Sequence, residues 1–249
     1  MGLKEKLKNL LNDRVKDWGG KTSYREPILK VASVFDPLWK RLKELCPFHF
    51  MPWELLEEAK SVVVFFLPFS EEVIESNQKG YYSSREWAVA YLETNAFLYD
   101  ISLEMIKLME EHGYKGVSIK PTHNFDKEKL VSYWSHRHAG FIAGMGTFGL
   151  NNMLITEKGC GGRLGSFVTD ALLDPDDRPL RESCLFKRNK SCTLCVKRCP
   201  VGALKVDGFD RFLCHKQCLE VGFYFSDLGK VDICGKCITH PCALGIPQG

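Results

Sequence analysis

Cys192-Thr193-Leu194-Cys195-Val196-Lys197-Arg198-Cys199-Pro200 is the stretch that decides how this chain reads. Thiolates two and three residues apart wrap one face of an iron–sulfur cubane, while a cysteine before proline turns away to ligate a second cluster. Outward from that string, nine of the eleven cysteines fall between Cys184 and Cys242, and only Cys46 and Cys160 lie elsewhere. A two-cluster run normally opens with a further cysteine three residues before the first of this string. Asn189 stands there, and the nearest upstream thiol is Cys184. The crossing rule then groups Cys184, Cys192, Cys195 and Cys242 around one 4Fe-4S cluster, and Cys199, Cys214, Cys234 and Cys237 around the other. Cys218 is left over and can replace Cys214, four residues away. The competing reading is a tetrahedral zinc site built from the pairs Cys192/Cys195 and Cys234/Cys237. Zinc leaves five neighbouring cysteines without a role, whereas two cubanes use eight of the nine.

Composition agrees with a folded, reducing-compartment protein. Apolar residues make up 45% of the 249 and charged residues 26%, which excludes a disordered or fibrous chain. The longest strongly apolar run, residues 62–69, is far shorter than the ~20 residues of a membrane-spanning helix. The N-terminus is too charged for a secretory leader, so the expectation is a cytoplasmic protein away from membranes, in which clustered thiols bind metal rather than pair. A net charge of +3 is too weak to imply nucleic acid.

Along the chain, leucines at helical spacing over residues 3–18 give an amphipathic helix, and the β-branched and aromatic run SVVVFFLPF at 61–69 gives a buried strand. Ser83 and Glu86 form a capping box ahead of a long helix that runs to Gly113. A strand over 114–120, a helix over 127–143 and strands over 153–156 and 164–173 follow. The fold class expected is α+β. A cofactor domain spans residues 1–180, and a small two-cluster domain spans 181–249, where metal ligation supplies the staple that a small core lacks.

Gly144-Met145-Gly146-Thr147-Phe148-Gly149 matches the dinucleotide fingerprint in letters only. That fingerprint follows a strand and opens a helix, whereas here a helical segment precedes and a strand follows. The glycines instead mark a tight backbone path able to approach a bulky ligand. His136 and His138 before them, with Asn151 and Asn152 after, make this a candidate cofactor loop, the alternative being structurally hydrogen-bonded histidines.

The stretches SHRHAGFIAGMGTFGLNNMLIT, RLGSFVTDALL and CTLCVKRCPVGAL together resemble the epoxyqueuosine reductase family and its relatives, the reductive dehalogenases, over residues 115–242. The resemblance implies a nitroreductase-like corrinoid-binding α/β domain followed by a ferredoxin-like domain with two 4Fe-4S clusters. It implies cobalamin as cofactor and adds Thr169 and Asp170 to the cofactor-binding set of His136, His138, Gly144, Gly146, Gly149, Asn151 and Asn152. Where that family carries a carboxylate proton donor, this chain reads Val117-Ser118-Ile119-Lys120-Pro121, so the catalytic acid is unknown and true epoxyqueuosine reduction is not expected. The tRNA-acting enzymes continue beyond the clusters, so tRNA is not an expected partner. The implied function is an oxidoreductase in which an external donor, a ferredoxin or flavodoxin, feeds the clusters and then a corrinoid that reduces a small molecule. Lys187, Arg188, Lys190, Lys197 and Arg198 offer such a donor a basic surface, or are simply solvated. The alternative function is an electron carrier or reactivase that reduces a partner corrinoid protein. A flavin is the other cofactor such a first domain holds.

Overall fold

The computed structural model describes residues 1–239 and 241–248. The chain opens with the amphipathic helix α1 (Leu3–Lys16), strand β1 (Ile28–Ser33) and two short helices, α2 (Pro37–Leu45) and α3 (Pro52–Leu55). Next comes the expected buried strand, β2 (Ser61–Pro68), with all of its residues buried and proline at its end. Helices α4 (Glu71–Ser76) and α5 (Arg85–Glu110) lead to β3 (Gly116–Ser118) and the small hairpin β4 (Phe125–Asp126) and β5 (Val131–Ser132). Helix α6 (His136–Ile142), the hairpin β6 (Gly146–Phe148) and β7 (Leu154–Thr156), and strand β8 (Gly162–Thr169) complete the first part. Beyond an irregular stretch over 171–184 lie α7 (Leu185–Asn189), α8 (Leu194–Lys197) and α9 (Arg211–Tyr224).

The main sheet has the order β1-β2-β8-β3, antiparallel throughout, with Val63 opposite both Val31 and Phe167. Because side chains alternate across a strand, β2 feeds two cores. Val63, Phe65 and Leu67 pack with Leu7 and Leu11 of α1 and Phe97, Leu98, Ile101 and Met105 of α5. Val62, Val64 and Phe66 pack on the other face with Trp39 and Leu42 of α2 and Ala139 and Ile142 of α6. Each fully buried side chain of this size stabilises the fold by about 1.5–3 kcal/mol, so β2 is the spine of a helix–sheet–helix sandwich.

Two sequence expectations move. The cap of α5 is Ser84, whose hydroxyl accepts from Trp87 N at 3.0 Å. Ser83 instead donates to Cys234 O at 2.6 Å, tying the cysteine-rich segment to the start of this helix. The helix expected over 127–143 is confined to α6. Asp126 turns the chain back first, its carboxylate accepting from Glu128 N at 2.9 Å and Lys129 N at 2.8 Å, and Leu130 takes a left-handed φ of 51°.

The cysteine-rich segment shares a core with the first part. Phe69, Ile74, Trp87, Ile155 and Cys160 form one buried cluster with Cys184, Ile238, Cys242 and Ala243. Cys160 N donates to Cys242 O at 2.8 Å and Gly161 N to Ala243 O at 2.9 Å. Arg25 adds a clamp, donating to Phe69 O, Leu244 O and Lys158 O. Among the described residues no helix is long and apolar enough to cross a membrane.

Candidate redox site

Topology gathers the cysteines into two groups. Cys184, Cys192, Cys195 and Cys242 line one small cleft with Gly149, Leu150, Asn151 and Ile155. Burial, then the facing thiols of Cys242, Cys184 and Cys192, push the Cys195 thiol up to about 11. The second group lies alongside. Burial pushes Cys234 up to about 11, with Cys214 and Cys199 adding to it, and raises Cys237 further, with Cys234, Cys214, Cys195 and Cys199 facing it. Thiols that oppose one another's ionisation in this way form a set whose charge a cationic iron–sulfide core offsets.

The pairs Cys192/Cys195 and Cys234/Cys237, the alternative zinc ligands, fall in different groups, with Cys195 facing Cys237 between them. A tetrahedral zinc holds its sulfurs about 2.3 Å from one point. The first group of sulfurs lines a cleft.

Cys214 and Cys218 sit one turn apart on α9. The hydrogen bond from Cys218 holds the Cys214 thiol down to about 7, and the same bond raises Cys218. Cys234 and Cys237 both face Cys214, whereas among these cysteines Cys218 faces Cys214 and Cys234.

Beside the thiols opens a cavity of about 270 Å³, lined on its apolar side by Phe66, Trp134, Met153 and Leu154 and on its polar side by His123, His136, Arg137 and Arg163. Cys160, outside the cysteine cluster in sequence, lines this cavity too. Its sulfur lies 3.7 Å from that of Cys242, and the Asn151 side-chain amide points at it from 3.9 Å. Cys160 therefore stands between the cavity and the first thiol group. Arg137 does the same for the second, lining the cavity with Cys237 and Cys214 in electrostatic reach.

The residues expected to hold a cofactor are not brought to one place. His136 lines the cavity, but both ring nitrogens are engaged. Its Nε2 donates to Lys120 O at 3.1 Å, which leaves Nδ1 to accept from Ser166 Oγ at 2.8 Å. Burial pushes this imidazole down to about 4, so it is neutral near pH 7. Burial likewise puts His138 at about 4; this ring lies against Phe148 and Ser135.

Gly149 and Asn151 belong to the cysteine cleft, where Asn151 donates to Cys237 O at 3.0 Å. Exposed Asn152 makes the turn, with φ of 58°, and its carbonyl accepts from Arg137 at 2.6 Å. Gly144 and Gly146 approach the chain itself. A Cβ on Gly144 would meet Asp177 O at 2.1 Å, and one on Gly146 would meet Ile155 O at 2.2 Å. Thr169 and Asp170 lie at the far end of β8, bound to Lys115 O and N. The glycine string follows α6 and forms the β6–β7 hairpin, so no helix N-terminus is available for a pyrophosphate. Lys120, in the stretch where a proton donor was sought, is exposed.

A cavity of this size matches a small molecule, at the lower end of the ~300–1,000 Å³ of drug-sized sites. A corrinoid exceeds it several-fold. Sequence reading passed over Cys160, Arg163 and His123. An arginine at the head of the strand that runs into Phe167 and Val168, set among Gly161, Gly162 and Gly165, was the one available signal.

No protein-family model matches this chain, and no curated protein does. Solved structures do match in fold. Epoxyqueuosine reductase from Streptococcus thermophilus aligns with 100% of this chain and 69% of its own, with a TM-score of 0.61 and 18% identity. An epoxyqueuosine reductase solved with an epoxyqueuosine-modified tRNA stem loop aligns with 98% of this chain and 70% of its own, with a TM-score of 0.54 and 20% identity. A catabolic reductive dehalogenase variant covers 82% of this chain and 30% of its own, with a TM-score of 0.50 and 16% identity. The chain spans 66–70% of the length of the epoxyqueuosine reductases it matches. The resemblance carried by the sequence motifs thus holds in the fold.

Proposed function

We propose that this chain, which has the fold of the epoxyqueuosine reductases, is an iron–sulfur oxidoreductase that passes electrons from an external donor through two 4Fe-4S clusters to a molecule in the cavity. Cys184, Cys192, Cys195 and Cys242 hold the first cluster. Cys199, Cys214, Cys234 and Cys237 hold the second, with Cys218 donating a hydrogen bond to Cys214. The observation that carries the reading is Cys160, which lines the cavity while its sulfur packs 3.7 Å from Cys242. Such clusters supply one-electron chemistry at a potential tuned by hydrogen bonds to their sulfurs and by burial.

The chain's own residues do the rest. Phe66, Trp134 and Leu154 exclude water from one side of the cavity, and Arg137 fixes a positive charge between cavity and cysteines. His123 lines the cavity as a neutral imidazole: burial first, then Lys230 and Arg163, lowers its pKa although its Nδ1 lies 3.5 Å from the Asp232 carboxylate, so its part is to hydrogen-bond and position the bound molecule.

The corrinoid implied by the sequence resemblance is the wider form of this proposal. It is larger than the cavity, and the residue roles stand apart from its chemistry. The donor is a ferredoxin or flavodoxin, and the substrate is a small molecule rather than tRNA.

Anaerobic purification followed by iron and sulfide analysis tests the core of the reading. About eight of each per chain are expected, and a zinc-only protein would sink it. Adding cobalamin and recording the visible spectrum with reductant separates the two forms. Retention and reduction of the corrinoid supports the wider one, and its absence leaves reduction directly in the cavity.

A further inference from the structure

The polar wall of the cavity carries two guanidinium groups, Arg137 and Arg163, and among the described residues no carboxylate lines it. Arg163 is the more telling of the two. It stands second in β8, opposite Leu67 near the end of β2. Its guanidinium lies over the Tyr91 ring, 4.6 Å from the centroid. Its Nε is buried and has no hydrogen-bond partner, and among the described residues Arg163 makes no ion pair. Asp232 is the carboxylate in electrostatic reach, but it is committed to the Tyr91 hydroxyl and to His123. Arginine cannot shed its proton to escape burial as lysine can, so this charge persists. Arg163 as a whole is half-buried, so its charge sits at the cavity wall with no paired anion, where a ligand can supply one.

We infer that the cavity binds a small oxyanion, a carboxylate or phosphate on a body no larger than about one ring, with Arg163 as its principal anchor and Arg137 as a second cation on the same wall. The size follows from the cavity volume, and the apolar body from the lining by Phe66, Trp134, Met153 and Leu154. Arginine's planar fork suits both oxyanions. This inference names the substrate class for the reductase reading and rests on that reading for its meaning, but binding itself requires no electron transfer.

The test is calorimetric titration of the anaerobically purified protein with benzoate, benzamide and inorganic phosphate at low ionic strength. Benzoate or phosphate binds one to one, and whichever does so identifies the oxyanion. Benzamide, the neutral isostere of benzoate, binds at least tenfold more weakly. Arg163→Gln loses about ten- to a hundredfold in affinity for the bound anion, the scale of a charged hydrogen bond, while Arg163→Lys retains part of it. Failure of both anions to bind, or equal binding of benzoate and benzamide, or an unchanged affinity in Arg163→Gln, overturns the inference. Equal binding needs no variant to fold. Iron and sulfide content of the same samples reads the reductase proposal separately, so the two can fail independently.

Discussion

Replacing Cys160 by alanine is expected to lower the reduction potential of the first cluster without removing it. The two sulfurs are 3.7 Å apart and buried, with Cys160 donating to Cys242, whose thiol is held below its ordinary range by that bond. A hydrogen bond to a charged acceptor contributes about 1.5–3 kcal/mol, and a thiol is among the weaker donors. The part that discriminates between the two redox states is therefore about 0.5–1 kcal/mol. A one-electron couple moves 59 mV per tenfold change in equilibrium constant, or about 1.4 kcal/mol, so the shift is roughly 20–40 mV to more negative values. Dye-mediated titration followed by EPR reads it, with iron content as the check that the cluster is present. Cys160→Ser, which keeps a donor, shifts the potential less than alanine does. An unchanged potential in Cys160→Ala at full iron content would refute the reasoning, and loss of half the iron would make Cys160 a ligand instead.

Cys214→Ser is expected to reduce the iron to about half, and Cys218→Ser to leave it near the wild-type value; equal losses would remove the assignment of Cys214 over Cys218. Gly235 and Gly202 both take left-handed φ, of 73° and 67°, but only at Gly235 would a Cβ strike the Trp87 ring, at 2.4 Å. Both alanine variants carry the backbone cost of about 1–2 kcal/mol, and Gly235→Ala carries an overpacking cost of about 1–3 kcal/mol more, so its melting temperature drops by roughly twice as much or further. Equal melting temperatures would show that the ring gives way. The pH dependence follows from His136, held at about 4 in the fold while the unfolded chain titrates near 6.5. The unfolded state then binds more protons below pH 6.5, so His136 takes about 2 kcal/mol from the stability as pH drops from 6.5 to 5, His138, also held at about 4, takes a similar amount, and His136→Gln removes about half of that fall in the urea-midpoint profile. A midpoint independent of pH in the wild type would contradict the neutral buried imidazole.

Much of this fold was legible where one physical term dominates. The run from Val62 to Leu67 has no polar interruption, and a strand buried on both faces is the only simple home for it. Cysteine spacing likewise assigned Cys184 to the group of Cys192 and Cys195 despite Asn189, and these thiols do share a cleft with Cys242. The failures lie where side-chain hydrogen bonds compete with periodicity. The Lys-Glu-Lys run after Asp126 has helical composition, yet one carboxylate accepting two backbone amides makes it a hairpin. The glycines suggested space for a ligand, but glycine also serves close packing of backbone on backbone, and letters cannot tell the two apart. Cys160 and Arg163 were invisible as site residues because their neighbours come from Cys242 and Tyr91, far along the chain.

The backbone pairing of Cys160 and Gly161 with Cys242 and Ala243 has a consequence for timing. Gly159 reinforces it, since a Cβ there would meet Ala243 O at 2.1 Å. Electron tunnelling depends steeply on separation, and in a protein whose donor and acceptor ride on different bodies it waits for them to approach. Here the last thiol of the first group and the wall of the cavity are stitched to the same two peptide units. In the proposed reductase, the gap between the cysteines and the cavity would thus be set at folding, and an electron would cross it with no hinge and no encounter.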